Sequence, residues 1–125
     1  MKRIGLVTVG TLCVFAAFGD LAEYVNPFVG TDTVGHTYPA ACVPFGMVQA
    51  GPDTGNEDWN HCSGYVSGDK RIFGFSQTHL NGTGCPDLGD IQVLPFSGEC
   101  GVMPMKRAID KESEKASPGW YEVRQ

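Results

Sequence analysis

The stretch Ser76-Gln-Thr-His-Leu-Asn-Gly-Thr-Gly-Cys-Pro-Asp-Leu-Gly-Asp-Ile-Gln-Val-Leu-Pro95 is the most informative part of this chain of 125 residues. It holds three glycines among short polar side chains and leads straight into an apolar segment at residues 91–94. Glycines permit tight bends, and short polar side chains supply hydrogen-bond donors and acceptors. This composition is typical of a loop whose backbone approaches a polar partner, and also of a plain connection between two strands.

The rest of the chain predicts an all-β fold. Its 17 glycines and 8 prolines favour short strands and turns, and repeated short strands of this kind indicate an antiparallel β-sandwich. We predict strands at residues 43–50, at 65–66 and 71–75 around a turn at 67–69, at 91–96 and at 120–123. We predict one helix, over residues 110–116, which Asp110 could cap and Ser117-Pro118-Gly119 would stop.

Composition and charge exclude several classes of protein. Hydrophobic residues make up 42% of the chain and charged residues 18%, which indicates one globular domain rather than a disordered chain. The formal net charge of −5 argues against a nucleic-acid partner, which needs a basic face. The pattern Gly82-Thr83-Gly84 completes no nucleotide-binding motif, since neither the remaining glycines nor a Lys-Ser/Thr pair follows it.

The first residues resemble a secretory leader. Lys2 and Arg3 precede an apolar run at residues 4–18, and Ala17-Phe18-Gly19 places small residues where a signal peptidase reads them. We therefore divide the chain into a signal peptide at 1–19 and a domain at 20–125. The run is too short for a membrane span, so the expected location is secreted or periplasmic.

Four cysteines remain after the leader, namely Cys42, Cys62, Cys85 and Cys100. An oxidising compartment would allow three pairings of four cysteines, and the sequence does not choose among them. A metal site is a weak alternative because no two cysteines have the C-x-x-C spacing. We predict no metal ligand and no catalytic residue in this chain.

Six blocks of residues, taken in order and spacing, resemble one known family. They are Asn26-Pro-Phe-Val-Gly-Thr31 with Gly35-His-Thr-Tyr-Pro39, Val43-Pro-Phe-Gly-Met-Val-Gln49, Pro52-Asp-Thr54, Cys62-Ser-Gly-Tyr65, Gly74-Phe-Ser-Gln-Thr-His-Leu-Asn-Gly-Thr-Gly-Cys85, and Glu114-Lys-Ala-Ser-Pro-Gly-Trp-Tyr121. Over residues 24 to 123 the chain resembles the N-terminal domain of glycoside hydrolase family 92, the secreted α-mannosidases. Gln77 and Asn81 depart from the family pattern, which usually has histidine and serine there.

The resemblance implies a β-sandwich domain followed by an (α/α)6 barrel, which is absent from these 125 residues. We therefore expect the leading part of a longer protein. It also implies an exo-acting, inverting, calcium-dependent α-mannosidase that trims mannose from N-glycans or mannans. The family's catalytic carboxylates and most of its calcium ligands lie in the barrel. The expected partners are thus mannose-containing glycans and the chain's own barrel.

In such a domain the loops facing the barrel form one wall of the sugar pocket. Trp59, flanked by polar residues, could stack on a pyranose ring, and its alternative is a core tryptophan. Trp120, which begins a strand, is predicted to lie in the core or an interface. The remaining substrate-contacting candidates are His36, Cys62, His79, Asn81, Thr83 and Asp87. For both histidines a structural hydrogen bond is the alternative.

Two further interpretations stay open. Asp87 and Asp90 could form a carboxylate pair, but capping of the glycine-rich turn explains at least one of them, and Asp90 would fix the loop against the following strand. A stand-alone secreted carbohydrate-binding module would also be a β-sandwich with an exposed tryptophan, and it would bind glycans without a barrel. A disulfide-stapled inhibitor would not explain the polar loop.

Overall fold

The computed structural model describes residues 21–125 except positions 33, 44, 56, 57, 83, 86, 88, 103 and 104. The predicted leader at 1–19 and the candidate Thr83 lie outside the described residues. Within the described part, no helix has the length and apolar character needed to cross a membrane.

The described residues form six strands and two short 3-10 turns. The turns are Leu21–Tyr24 and Trp59–His61. The strands are β1 (Gly51–Asp53), β2 (Arg71–Ile72), β3 (Gly74–Ser76), β4 (Arg107–Ala108), β5 (Asp110–Ser117) and β6 (Trp120–Arg124).

The strands pair as three antiparallel two-stranded sheets. β1 pairs with β3, with Gly51 opposite Ser76, and β2 pairs with β4, with Ile72 opposite Arg107. β5 and β6 form a hairpin with an irregularity between Asp110 and Lys115. The predicted all-β, antiparallel fold is thus confirmed. β2 takes its partner from 35 residues further along the chain rather than from residues 65–66, which are not a strand.

The predicted helix at residues 110–116 is wrong, because this segment is β5. Residues of good helix propensity cannot hold an isolated helix of two turns. As a strand the segment pairs with β6, and its exposed and half-buried positions roughly alternate. Ser117-Pro118-Gly119 does end the element, as the hairpin turn. Gly119 has a φ of 77°, a value that glycine adopts without strain.

Two predicted strands also fail. Residues 43–50 hold no strand in their described part, and only Gln49 extends the β1–β3 ladder, by donating its N–H to the Gln77 carbonyl at 2.8 Å. Residues 91–96 form a single bridge, Val93 with Phe75, and Val93 is 54% exposed rather than buried. A short apolar run does not by itself identify a strand, because the same pattern fits other secondary structure. The strands predicted at 71–75 and 120–123 are confirmed.

The core lies between β1–β3, β2 and the hairpin. Its buried apolar side chains are Tyr38, Cys62, Tyr65, Val66, Ile72 and Ile109. Polar residues are buried with them, namely Thr31, His36, Asp53, Thr54, Ser63, Ser76 and His79. Buried polar groups are stable only when they are hydrogen-bonded, so these side chains show where the fold depends on specific pairings.

Candidate functional site

Trp59 sits on the second 3-10 turn and faces solvent. Asp58 caps this turn with an extended backbone, and its Oδ1 accepts the N–H groups of Asn60 at 2.9 Å and His61 at 3.2 Å. The indole is 59% exposed. A core role for Trp59 is therefore excluded, and the position that the sequence assigned to an exposed loop is indeed at the surface.

His36 lies directly against Trp59. The two ring centroids are 5.1 Å apart with the planes at 90°. The His36 side chain is buried, and neither ring nitrogen has a hydrogen-bond partner among the described residues. Its backbone has a φ of 50°, in the left-handed region that costs a non-glycine residue energy. Two unfavourable features thus meet at one residue beside an exposed aromatic ring.

The glycine-rich loop reaches the same place. The N–H of Gly82 donates to the carbonyl of His36 at 2.7 Å. A Cβ on Gly84 would lie 2.2 Å from Cζ3 of Trp59, so only glycine lets the backbone pass the indole this closely. The loop, His36 and Trp59 therefore form one continuous surface, which we call the Trp59 surface.

Cys62 is hydrogen-bonded to the backbone of the turn that carries Trp59. It is buried, and its thiol donates to the Trp59 carbonyl at 2.8 Å. The thiols of Cys42 and Cys100 likewise donate to the carbonyls of Val43 and Gly101. Cys85 is exposed. Cys62 thus holds the turn that carries Trp59.

His79 is placed differently, in the interior. Its Nδ1 lies 2.9 Å from the Gln49 carbonyl and its Nε2 lies 2.9 Å from Oδ1 of Asp53. Both of these oxygens only accept hydrogen bonds, so each ring nitrogen faces an acceptor. The ring also stacks on Tyr38 with centroids 4.3 Å apart. These contacts match the structural alternative for His79, and its contact with a sugar stays a prediction.

Asp53 is the centre of this buried network, which the sequence analysis did not identify. Its Oδ1 also accepts from Ser76 at 2.9 Å, and its Oδ2 accepts from Nε2 of Gln92 at 2.8 Å. Gly64 lies close by, because a Cβ there would be 2.8 Å from Oδ1. Asp53 belongs to the Pro52-Asp53-Thr54 block, which was the available signal, but its partners come from positions 23 to 39 residues away.

The remaining candidates lie on the loop. Asn81 is exposed and its Nδ2 approaches the Tyr38 hydroxyl at 3.5 Å, while Asp87 is exposed. Asp90 joins the two ends of the loop: its Oδ2 accepts from Thr78 Oγ1 at 3.2 Å, and its N–H donates to the same hydroxyl. The loop-fixing role predicted for Asp90 is therefore consistent with the structure.

A cleft of about 370 Å³ lies beside the Trp59 turn. His61, the last residue of the turn, lines it with Asp58 and Asp69. His61 Nδ1 lies 2.7 Å from Asp58 Oδ1, and Nε2 lies 2.8 Å from Asp69 Oδ2. The turn thus carries both an exposed indole and a histidine held between two carboxylates.

The described residues do not assemble a calcium site. Nowhere in the described ranges do three or more His, Cys, Asp or Glu side chains gather as they would around a metal ion. Calcium prefers six to eight oxygen ligands, more than any pair here supplies. The resemblance places most of the calcium ligands in the barrel, so calcium dependence stays a prediction that these described residues do not test.

Comparison with known proteins agrees with this architecture. Residues 24–125 match the description "Glycosyl hydrolase family 92 N-terminal domain". An uncharacterized secreted glycosidase of Arthroderma benhamiae is 33% identical over 99% of this chain and 17% of its own length.

Solved structures show the same similarity. A family GH92 α-mannosidase from Bacteroides thetaiotaomicron, solved in complex with mannoimidazole, is 43% identical with a TM-score of 0.78, over 82% of this chain and 15% of that one. The GH92 family glycosyl hydrolase ccman5 is 33% identical with a TM-score of 0.71, over 83% of this chain and 14% of that one. The chain spans about a sixth of the length of these relatives. It belongs to glycosyl hydrolase family 92 and comprises sequence of that family's N-terminal β-sandwich domain.

Proposed function

We propose that this chain forms one wall of the mannose-binding pocket of an exo-acting, inverting α-mannosidase that trims mannose from N-glycans or mannans. The observation that supports it best is the Trp59 surface, where an exposed indole lies against a buried histidine whose ring nitrogens have no hydrogen-bond partner among the described residues. The mannosidases to which the chain is similar are consistent with a mannose-containing substrate.

The two residues have complementary chemistry for a sugar. An indole face stacks on the apolar C–H face of a pyranose. The nitrogens of His36 could exchange hydrogen bonds with a hydroxyl, and pairing a buried polar group recovers about 1–3 kcal/mol of desolvation cost. Because these nitrogens are buried, a hydroxyl reaches them only if the groups that cover them move.

Binding and chemistry are divided between two parts of the proposed enzyme. Inversion needs one carboxyl group to protonate the leaving oxygen and another to activate water. We assign these groups, and the calcium ligands, to the C-terminal (α/α)6 barrel. Asp90 is occupied in joining the ends of its loop. The chain's own residues bind and orient the sugar, and the leader at 1–19 would direct the protein to a secreted or periplasmic location.

The first prediction is that this chain alone hydrolyses no mannoside, because the proposal assigns the acid and base pair to the barrel. Release of nitrophenol from an aryl α-mannoside measures this, with a complete family 92 mannosidase as the positive control. Turnover by the isolated chain would contradict the assignment of the carboxylates to the barrel. Tight glycan binding by the isolated chain would instead favour the carbohydrate-binding module.

The second prediction concerns Trp59→Ala in an enzyme that contains this chain. Loss of a stacking face should cost about 1 kcal/mol or more of transition-state binding, which is about fivefold in kcat/KM for a mannobiose. Trp120→Phe, on β6, is the matched control and should leave kcat/KM unchanged. A lower melting temperature of Trp59→Ala with unaltered kinetics would show a purely structural tryptophan.

A further inference from the structure

His61 connects the Trp59 turn to the body of the fold. Its ring bridges the capping residue Asp58 and Asp69, the last residue of the turn at 67–69. The ring is largely covered, with 19% of the side chain exposed, and it packs on Gly55, where a Cβ would be 2.5 Å from Cδ2. We call this bridge the Asp58–His61–Asp69 clamp.

We propose that His61 is a positioning residue for Trp59, and that its clamp makes the presentation of the indole to a sugar depend on pH. The proposal rests on the proposed function, in that the sugar contacts Trp59. The turn has only three residues. Besides the Asp58 cap, the Cys62 thiol and the contacts of the indole with His36 and Gly84, the clamp is the hydrogen-bonded side-chain attachment of the turn to Asp69. A turn this short has little stability of its own.

The clamp is strongest when His61 is protonated. Both ring nitrogens face carboxylate oxygens, which accept hydrogen bonds and carry negative charge. Burial lowers the pKa of His61, but the hydrogen bonds to Asp69 and Asp58 and their charges together raise it above the ordinary 6.5. The charged side chains that face the cleft around the ring are Asp58, Asp69, Lys70, Arg71 and Lys106. Lysine and arginine keep their charge through the range in which histidine titrates.

The direction of the pH effect follows from these shifts. A folded-state pKa raised above 6.5 means that the clamp is fully present below pH 6.5 and is lost as the pH rises through the raised value. At the acid end, the hydrogen bond to His61 lowers the pKa of Asp58 below 3.8, so the clamp is lost again only as the pH falls through that lowered value. Trp59 should therefore be best held at mildly acidic pH.

The test uses Trp59 as its own reporter, in the chain carrying Trp120→Phe. We expect acrylamide quenching of the indole to increase with pH, with a midpoint above 6.5. His61→Asn should show the high-pH level of quenching at every pH. Lys70→Gln, which removes one charge from the same cleft, is the control and should leave the midpoint pH nearly unchanged. Far-UV circular dichroism checks that each variant is folded. A midpoint that persists in His61→Asn would overturn the proposal.

Asp69→Asn keeps the proposal testable if His61→Asn does not fold. Removing one of the two carboxylates should move the midpoint to lower pH, and an unmoved midpoint would also overturn the clamp. If half of the molecules lose the ordered turn at high pH, the apparent Kd of a sugar at Trp59 should rise about twofold.

The two levels of inference fail separately. If Trp59→Ala leaves the KM of the enzyme for mannobiose unchanged while quenching still follows His61, the sugar contact is wrong, and with it the functional part of the clamp. If KM depends on Trp59 but quenching does not follow His61, the clamp is wrong and the sugar contact stands.

Discussion

Asp53→Ala should lower the free energy of unfolding by about 3 kcal/mol or more, because it leaves several buried polar groups without their acceptor, at about 1–3 kcal/mol each. Asp53 and His79 are almost fully buried, with side-chain exposures of 7% and 1%. Without the carboxylate, His79, Ser76 and Gln92 all lose a hydrogen-bond partner at once. A loss of this size is a large fraction of the free energy of unfolding of a small domain.

Urea denaturation followed by circular dichroism measures this loss. Asp90→Ala is the matched control, because this aspartate is exposed and accepts a single described side-chain hydrogen bond, so its loss should cost about 1 kcal/mol or less. If Asp53→Ala does not fold, Gln92→Ala removes one neutral donor and should cost about 1 kcal/mol. An Asp53 variant as stable as the Asp90 control would show that the network contributes nothing.

Glu114→Ala should be the second most damaging change, at about 3 kcal/mol or more. Glu114 is 7% exposed on β5, and its Oε1 accepts both the Tyr65 and the Tyr121 hydroxyls at 2.6 Å. Its Oε2 pairs with Lys111, which also donates to the Tyr65 hydroxyl at 2.9 Å. The carboxylate therefore ties the hairpin to the core.

The tyrosines keep their protons in this arrangement. Burial raises the pKa of Tyr65 and of Tyr121 well above their usual range, and the Glu114 carboxylate raises both further. Each hydroxyl is thus held as a donor to Glu114. Deleting the carboxylate would leave two buried hydroxyls and an ammonium group without their acceptor.

Glu112→Ala is the matched control for Glu114→Ala. It removes the same side chain from the same strand, two positions away on the exposed face, and should change stability by no more than about 0.5 kcal/mol. Hydrogen exchange of the β5–β6 amides provides the second measurement. Loss of protection confined to the hairpin is expected for Glu114→Ala, and equal effects of the two substitutions would contradict the role assigned to Glu114.

Several features of the site could be read from the residues alone. The polar neighbours of Trp59 predicted its exposure, and the glycines at 82 and 84 predicted a close backbone approach, which proved to be an approach to Trp59 itself. The pairing of the loop with His36 could not be predicted, since 46 residues separate the two and no local pattern links them.

The misassigned elements share a physical cause. Residues 110–116 have helix-forming side chains, but their partner strand and the buried Tyr65 decided their conformation. Residues 91–96 have a strand-like composition, but only Val93 found a partner. Propensities of a fraction of a kcal/mol per residue are overridden by pairing and burial.

The sequence by itself determined the family, the all-β class, the turns at Gly119 and at residues 67–69, and the exposure of Trp59. These depend on local chemistry, namely glycine conformations, polar neighbours and residue blocks in a given order. Only the tertiary structure decided that His79 lies between Asp53 and Gln49, that the His36 ring nitrogens have no hydrogen-bond partner in the described part, and that His61 bridges two carboxylates. Each of those outcomes depends on which residues, distant in sequence, meet in the interior. Hydrogen bonds are stronger there than in water, and unpaired polar groups cost more.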